Sequence, residues 1–164
     1  MKRFIATFAI VVLILGAFVS CSGSGDTETP ETVATEGYTY RTLSFEKPKI
    51  WIETSESNEN RMILKSSDYS QDPSSVVISA ISNLDMTPLE YANLVKEELD
   101  IPESPEDMTF GDKTYTALKA NNQIPTFNFF LKFDDLTYLV VYANMNDEIT
   151  ENAKAFLSSI EHIK

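Results

Sequence analysis

Cys21 is the only cysteine in this 164-residue sequence, and its thiol is the side chain best placed to be modified covalently. It follows an apolar run over residues 4–19, which is itself preceded by Lys2 and Arg3. A positively charged start, an apolar stretch and small residues before a cleavage point are the layout of a secretory signal peptide. The run is shorter than the about 20 apolar residues that a spanning helix needs, so the sequence disfavours a permanent transmembrane anchor.

The four residues Phe18-Val19-Ser20-Cys21 resemble the bacterial lipobox, in which a small residue precedes a cysteine that receives a diacylglyceryl group before cleavage. The resemblance implies a signal peptide at 1–20, cleavage after Ser20 and lipid on Cys21. The alternative is an ordinary signal peptide with an incidental cysteine. Two or three acyl chains, at about 0.8 kcal/mol per buried CH₂, would hold the mature chain stably on a membrane. We therefore expect an extracytoplasmic, lipid-anchored protein, in either the inner or the outer membrane.

His162 is the only histidine and could serve as a general base or a metal ligand. We expect it in the last turn of a C-terminal helix, where a cation meets the negative end of the helix dipole. No cluster of partner residues lies near it, and no G-x-S-x-G nucleophile elbow is present. The sequence therefore favours a surface residue that caps the helix.

Three acidic clusters could hold calcium or supply a pair of carboxylates for hydrolysis. They are Asp134-Asp135, Glu97-Glu98 with Asp100, and Glu103 with Glu106-Asp107. No D-x-D-x-D-G calcium loop is present, so we interpret them as solvated loops, with the Glu103–Asp107 loop the best candidate for a weak cation site. The sequence thus predicts no catalytic, cofactor-binding or metal-ligating residue and no cofactor.

Aromatic side chains are numerous throughout the domain and could line a pocket for a sugar, lipid or peptide. The alternative, which we favour, is that they form the core and pair across strands. The residues concerned are Trp51, Tyr38, Tyr40, Tyr69, Tyr115, Tyr138, Tyr142, Phe127, Phe129 and Phe130.

The chain is strongly acidic, with a formal net charge of −12, and signal cleavage would remove two of its positive charges. An acidic surface disfavours nucleic acid and anionic headgroups as partners, because both require a basic face. Residues 22–36 are mostly Ser, Thr, Gly, Pro and acid, with almost nothing apolar to bury. We predict a lipidated cysteine and disordered tether at 21–37, followed by one globular domain at 38–164.

Alternating and apolar segments predict a domain of seven strands and two helices. The strands are expected at 37–45, 50–54, 61–65, 76–82, 113–120, 126–133 and 136–143. Thr87-Pro88-Leu89-Glu90 predicts a capped helix to Leu99 that buries Leu89, Ala92, Val95 and Leu99, with Lys96 at the edge of that face. A last helix, capped by Asn146 or Asp147, should extend to Ile163. Short turns and strands apolar on both faces indicate an α+β fold, a mostly antiparallel sheet of about six to seven strands with helices on both faces.

The segment Phe45-Glu46-Lys47-Pro48-Lys49-Ile50-Trp51 has the form Phe-x-x-Pro-x-x-Trp after a first strand. It resembles the opening of PsbP-like and Mog1-like domains, which are α/β/α sandwiches around an antiparallel sheet. The resemblance extends over residues 38–164, although Ile50 stands where the family often has Gly. It implies a fold rather than an activity, and many members are small prokaryotic envelope lipoproteins of unassigned role.

These observations lead to a non-enzymatic binding or scaffolding module, anchored in the envelope and acting on a protein partner there. One alternative is a carrier that holds a small apolar ligand between sheet and helix. The other is a hydrolase or metal-dependent enzyme, which would require His162 to lie beside a serine or carboxylate in a cleft.

Overall fold

The computed structural model describes residues 33–82, 85–121, 123–133 and 136–163. The predictions for residues 1–32, which include Ser20, Cys21 and most of the tether, lie outside these ranges, as does Asp134-Asp135. The described residues form β1 Thr35–Tyr40, β2 Leu43–Pro48, β3 Trp51–Glu53, β4 Arg61–Ser66, β5 Ser74–Ser82, α1 Pro88–Glu98, β6 Glu106–Phe110, β7 Lys113–Asn121, β8 Pro125–Phe133, β9 Leu136–Asn144, α2 Glu151–Ser159 and β10 Glu161–His162. No described helix has the length and apolarity required to cross a membrane.

Seven strands form one antiparallel sheet in the order β3-β4-β5-β9-β8-β7-β6. The long central hairpin of β8 and β9 was expected, and its register runs from Thr126↔Ala143 to Phe133↔Leu136. A second sheet has the order β1-β2-β10. The expected α+β class with a mostly antiparallel sheet is confirmed.

The two faces of the large sheet are covered by different elements, as its apolar character on both sides predicts. Along β8, Phe127, Phe129 and Leu131 point into one core and Phe130 into the other. The first core is closed by α2 and the β1–β2 hairpin, and the second by α1. This α/β/α arrangement follows from the period of two along the strands.

Helix α1 has the capping box that the sequence predicts. The backbone N–H of Glu90 donates to Thr87 Oγ1 at 3.2 Å, and the Glu90 carboxylate accepts from the Thr87 N–H at 2.8 Å. That second bond lowers the pKa of Glu90. The expected buried face is partly wrong, because Leu89 and Leu99 are exposed while Tyr91 is buried and packs edge-on against Phe130.

The strands differ from the prediction in two regions, at residues 35–48 and at residues 106–110. Residues 37–45 form a hairpin rather than one strand, because Arg41 adopts φ 56° and turns the chain between Tyr40 and Leu43. Strand β1 also begins at Thr35, within the segment assigned to the tether. Strand β6 was missed; Glu106 and Asp107 belong to it rather than to a loop, and Gly111 at φ 62° turns it into β7.

Helix α2 is shorter than expected at both ends. Its N-cap is Thr150, whose Oγ1 accepts from the Ala153 N–H, and not Asn146 or Asp147. It ends at Ser159 because Ile160 has extended dihedral angles and the following residues pair with β2. His162 is therefore in a strand and not in a helix, which corrects the expected position.

Candidate functional site

The two aromatic residues of the Phe-x-x-Pro-x-x-Trp segment, Phe45 and Trp51, pack in the first core. Trp51 is 1% exposed, and its ring lies 5.6 Å from that of Phe156 and 6.5 Å from that of Tyr142. Phe45 meets Phe156 edge-on at 5.1 Å. The motif thus joins the small sheet, α2 and strand β9 through aromatic contacts, each worth roughly 0.5–1.5 kcal/mol beyond its buried area.

A buried polar cluster surrounds this tryptophan. Asp72, which is 1% exposed, accepts at Oδ2 from Trp51 Nε1 at 3.0 Å and from Asn152 Nδ2 at 2.8 Å. Its Oδ1 has no hydrogen-bond partner among the described residues. The carboxylate therefore joins the loop before β5 to β3 and α2 through one of its oxygens.

Lys47 is the buried charged residue of the motif itself. Its ammonium donates to the Trp51 carbonyl at 2.5 Å and pairs with Glu36 at 2.6 Å. The hydrogen bond from Lys47 is the largest cause of the lowered pKa of Glu36. This pair ties β1 to the start of β3, so the lysine has a structural explanation.

The outward face of the β1–β2 hairpin forms the floor of an open cleft of about 840 Å³, which we call the hairpin cleft. The turn between β6 and β7 lines it, together with the end of α2 and the start of β10. Its residues are Gly37, Tyr38, Thr39, Ser44, Phe45, Glu46, Asp112, Lys113, Ser158, Ser159 and Glu161. This lining is dominated by hydroxyl and carboxylate groups.

A second cleft of about 750 Å³, the helix cleft, lies beside it along α2 and shares Glu46, Ser158 and Ser159. It includes Val33 and Thr35, where the described chain enters the fold. The hairpin cleft extends instead toward the turn between β1 and β2.

The hairpin cleft carries unbalanced negative charge. Lys113 and Glu161 form a long ion pair of 3.9 Å. Glu46 and Asp112 are exposed carboxylates that form no ion pair with the residues that the structure describes. A cationic group would therefore be favoured in this cleft over an anionic one.

A side chain at the end of α2, that of Ser159, holds the backbone of β2 at the floor of the hairpin cleft by a hydrogen bond. Ser159 Oγ accepts from the Glu46 N–H at 2.8 Å and donates to the Phe156 carbonyl at 2.7 Å. The amide of Glu46 is thus directed away from β1, toward α2. This bond holds the floor of the hairpin cleft against the end of the helix.

His162 lies in β10, where its ring stacks on that of Phe133 with centroids 4.9 Å apart and planes inclined by 6°. Stacking on an aromatic ring at a strand end gives the residue a packing role. Within the described ranges, no group of three or more His, Cys, Asp or Glu residues could hold a metal ion.

The two acidic clusters that lie in the described residues belong to different elements. Glu97 and Glu98 end α1, while Glu106 and Asp107 lie in β6. Between them, Glu103 accepts a hydrogen bond from Asn121, which fastens the loop to the end of β7. Sequence reasoning singled out these clusters and missed Glu46 and Asp112, which come together only through the packing of two hairpins.

The aromatic residues form the core, as the sequence favours. Of those singled out, eight are buried: Tyr40, Trp51, Tyr115, Phe127, Phe129, Phe130, Tyr138 and Tyr142. Tyr38 is half-buried and donates its hydroxyl to Glu53, and Tyr69 is exposed.

A seven-stranded antiparallel sheet with a helix on one face and a helix plus a small sheet on the other is the PsbP/Mog1-like fold, and the comparison of structures confirms it. The solution structure of cyanobacterial PsbP (CyanoP) from Synechocystis sp. PCC 6803 matches 90% of this chain and 99% of its own, at a TM-score of 0.55 and 12% identity. The Ran-binding protein Mog1p of Saccharomyces cerevisiae matches 80% and 97%, at a TM-score of 0.55 and 8% identity.

A crystal structure from Bacteroides thetaiotaomicron VPI-5482 matches 75% of the chain at a TM-score of 0.51 and 15% identity. The present chain spans about half of that protein, since the match covers 46% of it. No protein-family model and no curated protein sequence matches this chain. At these identities the likeness establishes the fold alone.

Proposed function

We propose that this protein is a membrane-anchored envelope lipoprotein whose domain is a non-enzymatic binding or scaffolding module. The observation that carries the proposal is Phe18-Val19-Ser20-Cys21 at the end of the apolar segment 4–19. Lipid on Cys21 would hold the domain outside the cytoplasm, on a tether that ends at Thr35. About 13 residues separate these two points, so the domain would stay within about 45 Å of the membrane.

A protein partner is supported by the fold and by the surface. Mog1p, which shares the fold, is a Ran-binding protein, so this architecture serves protein recognition there. Here the hairpin cleft offers a concave surface with carboxylates at Glu46 and Asp112 that have no ion-pair partner among the described residues. The aromatic side chains, by contrast, are used in the core, which favours a surface-binding module over a carrier of an apolar ligand.

The anchor is tested by intact-mass analysis of the full chain extracted from bacterial membranes. We expect a mature protein that begins at Cys21 and carries acyl chains. The Cys21→Ser variant keeps the signal segment and should lack the lipid. An N-terminus at Met1, or an unmodified Cys21, would refute the anchor.

The binding role is tested by photo-crosslinking in intact cells, with a photoreactive residue placed at Asp112 in the cleft or at Glu56 in the β3–β4 loop. We expect one defined adduct from position 112 and none from position 56. Equal labelling of many proteins from both positions would contradict a specific partner.

A further inference from the structure

We infer that the β1 edge and the hairpin cleft together receive an extended basic segment of a protein partner, added to the small sheet as a further strand beside β1. This inference rests on the proposed function and names the chemistry of the partner. It uses three features of the structure: a strand edge with no partner strand among the described residues, a glycine that leaves the cleft floor open, and the carboxylate of Glu46 next to that glycine.

Strand β1 has one free edge within the described part of the chain. In the sheet order β1-β2-β10, its hydrogen-bonded neighbour is β2. Because the Glu46 N–H donates to Ser159, the pair Gly37↔Glu46 is not a hydrogen-bonded pair of the ladder. Alternation along an antiparallel ladder then directs the N–H and C=O groups of Thr35, Gly37 and Thr39 away from β2. These six groups are what an added strand would pair with.

The free edge lacks the features that usually prevent strand addition. Proteins protect such edges with lysine, proline or a bulge. Strand β1 reads Thr-Glu-Gly-Tyr-Thr-Tyr, and its register with β2 is unbroken from Thr35 to Tyr40. The one charged side chain, Glu36, pairs with the buried Lys47, and the alternation of side chains along the strand places it on the face opposite to that of Gly37.

Gly37 opens the floor of the cleft at the middle of this edge. A Cβ built at Gly37 would lie 3.8 Å from Glu46 Oε1 and meet no other atom within 4 Å. The Glu46 carboxylate is thus next to the space that a side chain at position 37 would fill. A strand added beside β1 would carry a side chain opposite Gly37, and a lysine or arginine there would reach this carboxylate.

Charge favours a basic occupant over a second copy of this chain. Glu46 and Asp112 have no cationic partner among the described residues, and the chain has a net charge of −12. Two copies paired through β1 would bring like charges together, which is unfavourable. A segment with Lys or Arg at alternate positions would place its cations on the cleft side of the sheet.

The probe is a nine-residue peptide of alternating Lys and Thr, blocked at both ends and titrated by calorimetry into the lipidated full chain in a neutral detergent. Two matched peptides accompany it: one with Glu in place of Lys, and one with N-methyl groups at alternate backbone amides. We expect binding of the first peptide only. The methylated peptide keeps the charge but loses the ladder hydrogen bonds, so equal binding of both basic peptides would overturn strand addition.

Variants of the protein supply the second half of the test. Glu46→Gln should weaken binding about three- to fivefold, the value expected for an exposed ion pair. Gly37→Pro removes the outward N–H at an edge position where proline is tolerated, and should weaken binding at least about tenfold. Glu56→Gln removes an exposed carboxylate elsewhere and should leave affinity unchanged. If it weakens binding as much as Glu46→Gln, attraction is non-specific and the inference is wrong.

The outcomes separate this inference from the proposed function. If the in-cell adduct forms equally well with Gly37→Pro and Glu46→Gln, the partner binds elsewhere and only the inference fails. A loss of lipid or of every adduct would instead refute the proposed function. Concentration-dependent dimers that disappear in Gly37→Pro would show that a second copy occupies the edge, which would also overturn a basic partner. Should Gly37→Pro not fold, the methylated peptide decides the question on the unaltered protein.

Discussion

Replacing Trp51 by phenylalanine tests whether the motif holds the two sheets and α2 together. The indole is fully buried between Tyr142 and Phe156, and its Nε1 donates to the buried carboxylate of Asp72. Phenylalanine keeps an aromatic ring in the core but cannot donate this hydrogen bond. The change therefore removes one polar contact and a small volume without altering the surface.

The expected loss of stability follows from these two contributions. A hydrogen bond to a charged group contributes about 1.5–3 kcal/mol, and Asp72 would retain only Asn152 as a donor. The smaller ring adds about 1 kcal/mol for the space left unfilled. We expect Trp51→Phe to lower the free energy of unfolding by about 3 kcal/mol, a large part of the 5–15 kcal/mol typical of a domain.

Asp72→Asn is the informative companion variant. Both donors contact the same oxygen, Oδ2, so an amide oxygen in that place keeps both bonds, and the amide nitrogen replaces the unpartnered Oδ1. We expect this variant to lose less than about 1 kcal/mol, because the hydrogen-bonding pattern survives without the carboxylate. Ile52→Val, at an exposed position of the same strand, should change stability by less than about 0.5 kcal/mol.

Urea unfolding followed by far-ultraviolet circular dichroism is the suitable assay, because Trp51 is the only tryptophan and its fluorescence is lost in the variant. Two results would refute the reasoning. If the free energy of unfolding of Trp51→Phe is within about 1 kcal/mol of the parent value, the hydrogen bond of the indole contributes little to stability. If Asp72→Asn is as unstable as Trp51→Phe, the carboxylate itself, and not the pattern of bonds, stabilises the cluster.

Three further predictions concern turns, caps and titration. Gly111→Ala should destabilise the domain by about 1–2 kcal/mol, because φ is 62° and the new Cβ would lie 3.2 Å from a side-chain atom of α2. Gly37→Ala is the control in the same urea assay and should differ little from the parent, because its Cβ would make only an ordinary van der Waals contact, 3.8 Å from Glu46 Oε1. Thr87→Ala should cost about 1 kcal/mol by removing the helix cap, and a change below about 0.3 kcal/mol would contradict the capping role. Burial raises the pKa of Tyr115, and that of Tyr40 to about 12, so the folded protein disfavours their ionised forms. The free energy of unfolding should therefore be constant below about pH 10 and fall as the pH rises toward 12. In a pH titration, the absorbance of tyrosinate should rise at a higher pH in the folded protein than in the unfolded chain. Coincident titration curves for the two states would contradict this prediction.

Local sequence patterns were sufficient for much of the secondary structure. Four consecutive residues, Thr87 to Glu90, predict the capping box of α1. The alternation of side chains along 126–133 places Phe129 and Phe130 in opposite cores. Such features depend on neighbours in the chain, so composition and period reveal them. The β1–β2 turn was missed because Arg41 adopts a positive φ that its residue type gives no reason to expect.

Long-range packing decided what the residues do. In the sequence, nothing local marked Glu46 or Asp112 as a site residue: the first is a variable position of the motif, and the second merely follows a glycine. Both line the hairpin cleft because two hairpins meet at the end of α2. His162 likewise became a strand residue because β10 pairs with β2, whose Leu43 is more than 100 residues away in sequence. No local pattern encodes such contacts, since each side chain is placed by elements distant in the chain.

By itself, the sequence determined the α+β class, the acidic charge and the identity of the motif that ends in Trp51, while the anchor at Cys21 stays a prediction. These are properties of composition, order and spacing. Only the tertiary structure decided that Trp51 belongs to the core, that Asp72 is its buried partner, and that Gly37 opens a path to Glu46. The reason is physical: burial and the free edge of a strand are defined by which segments pack together, and that is settled when the whole chain folds.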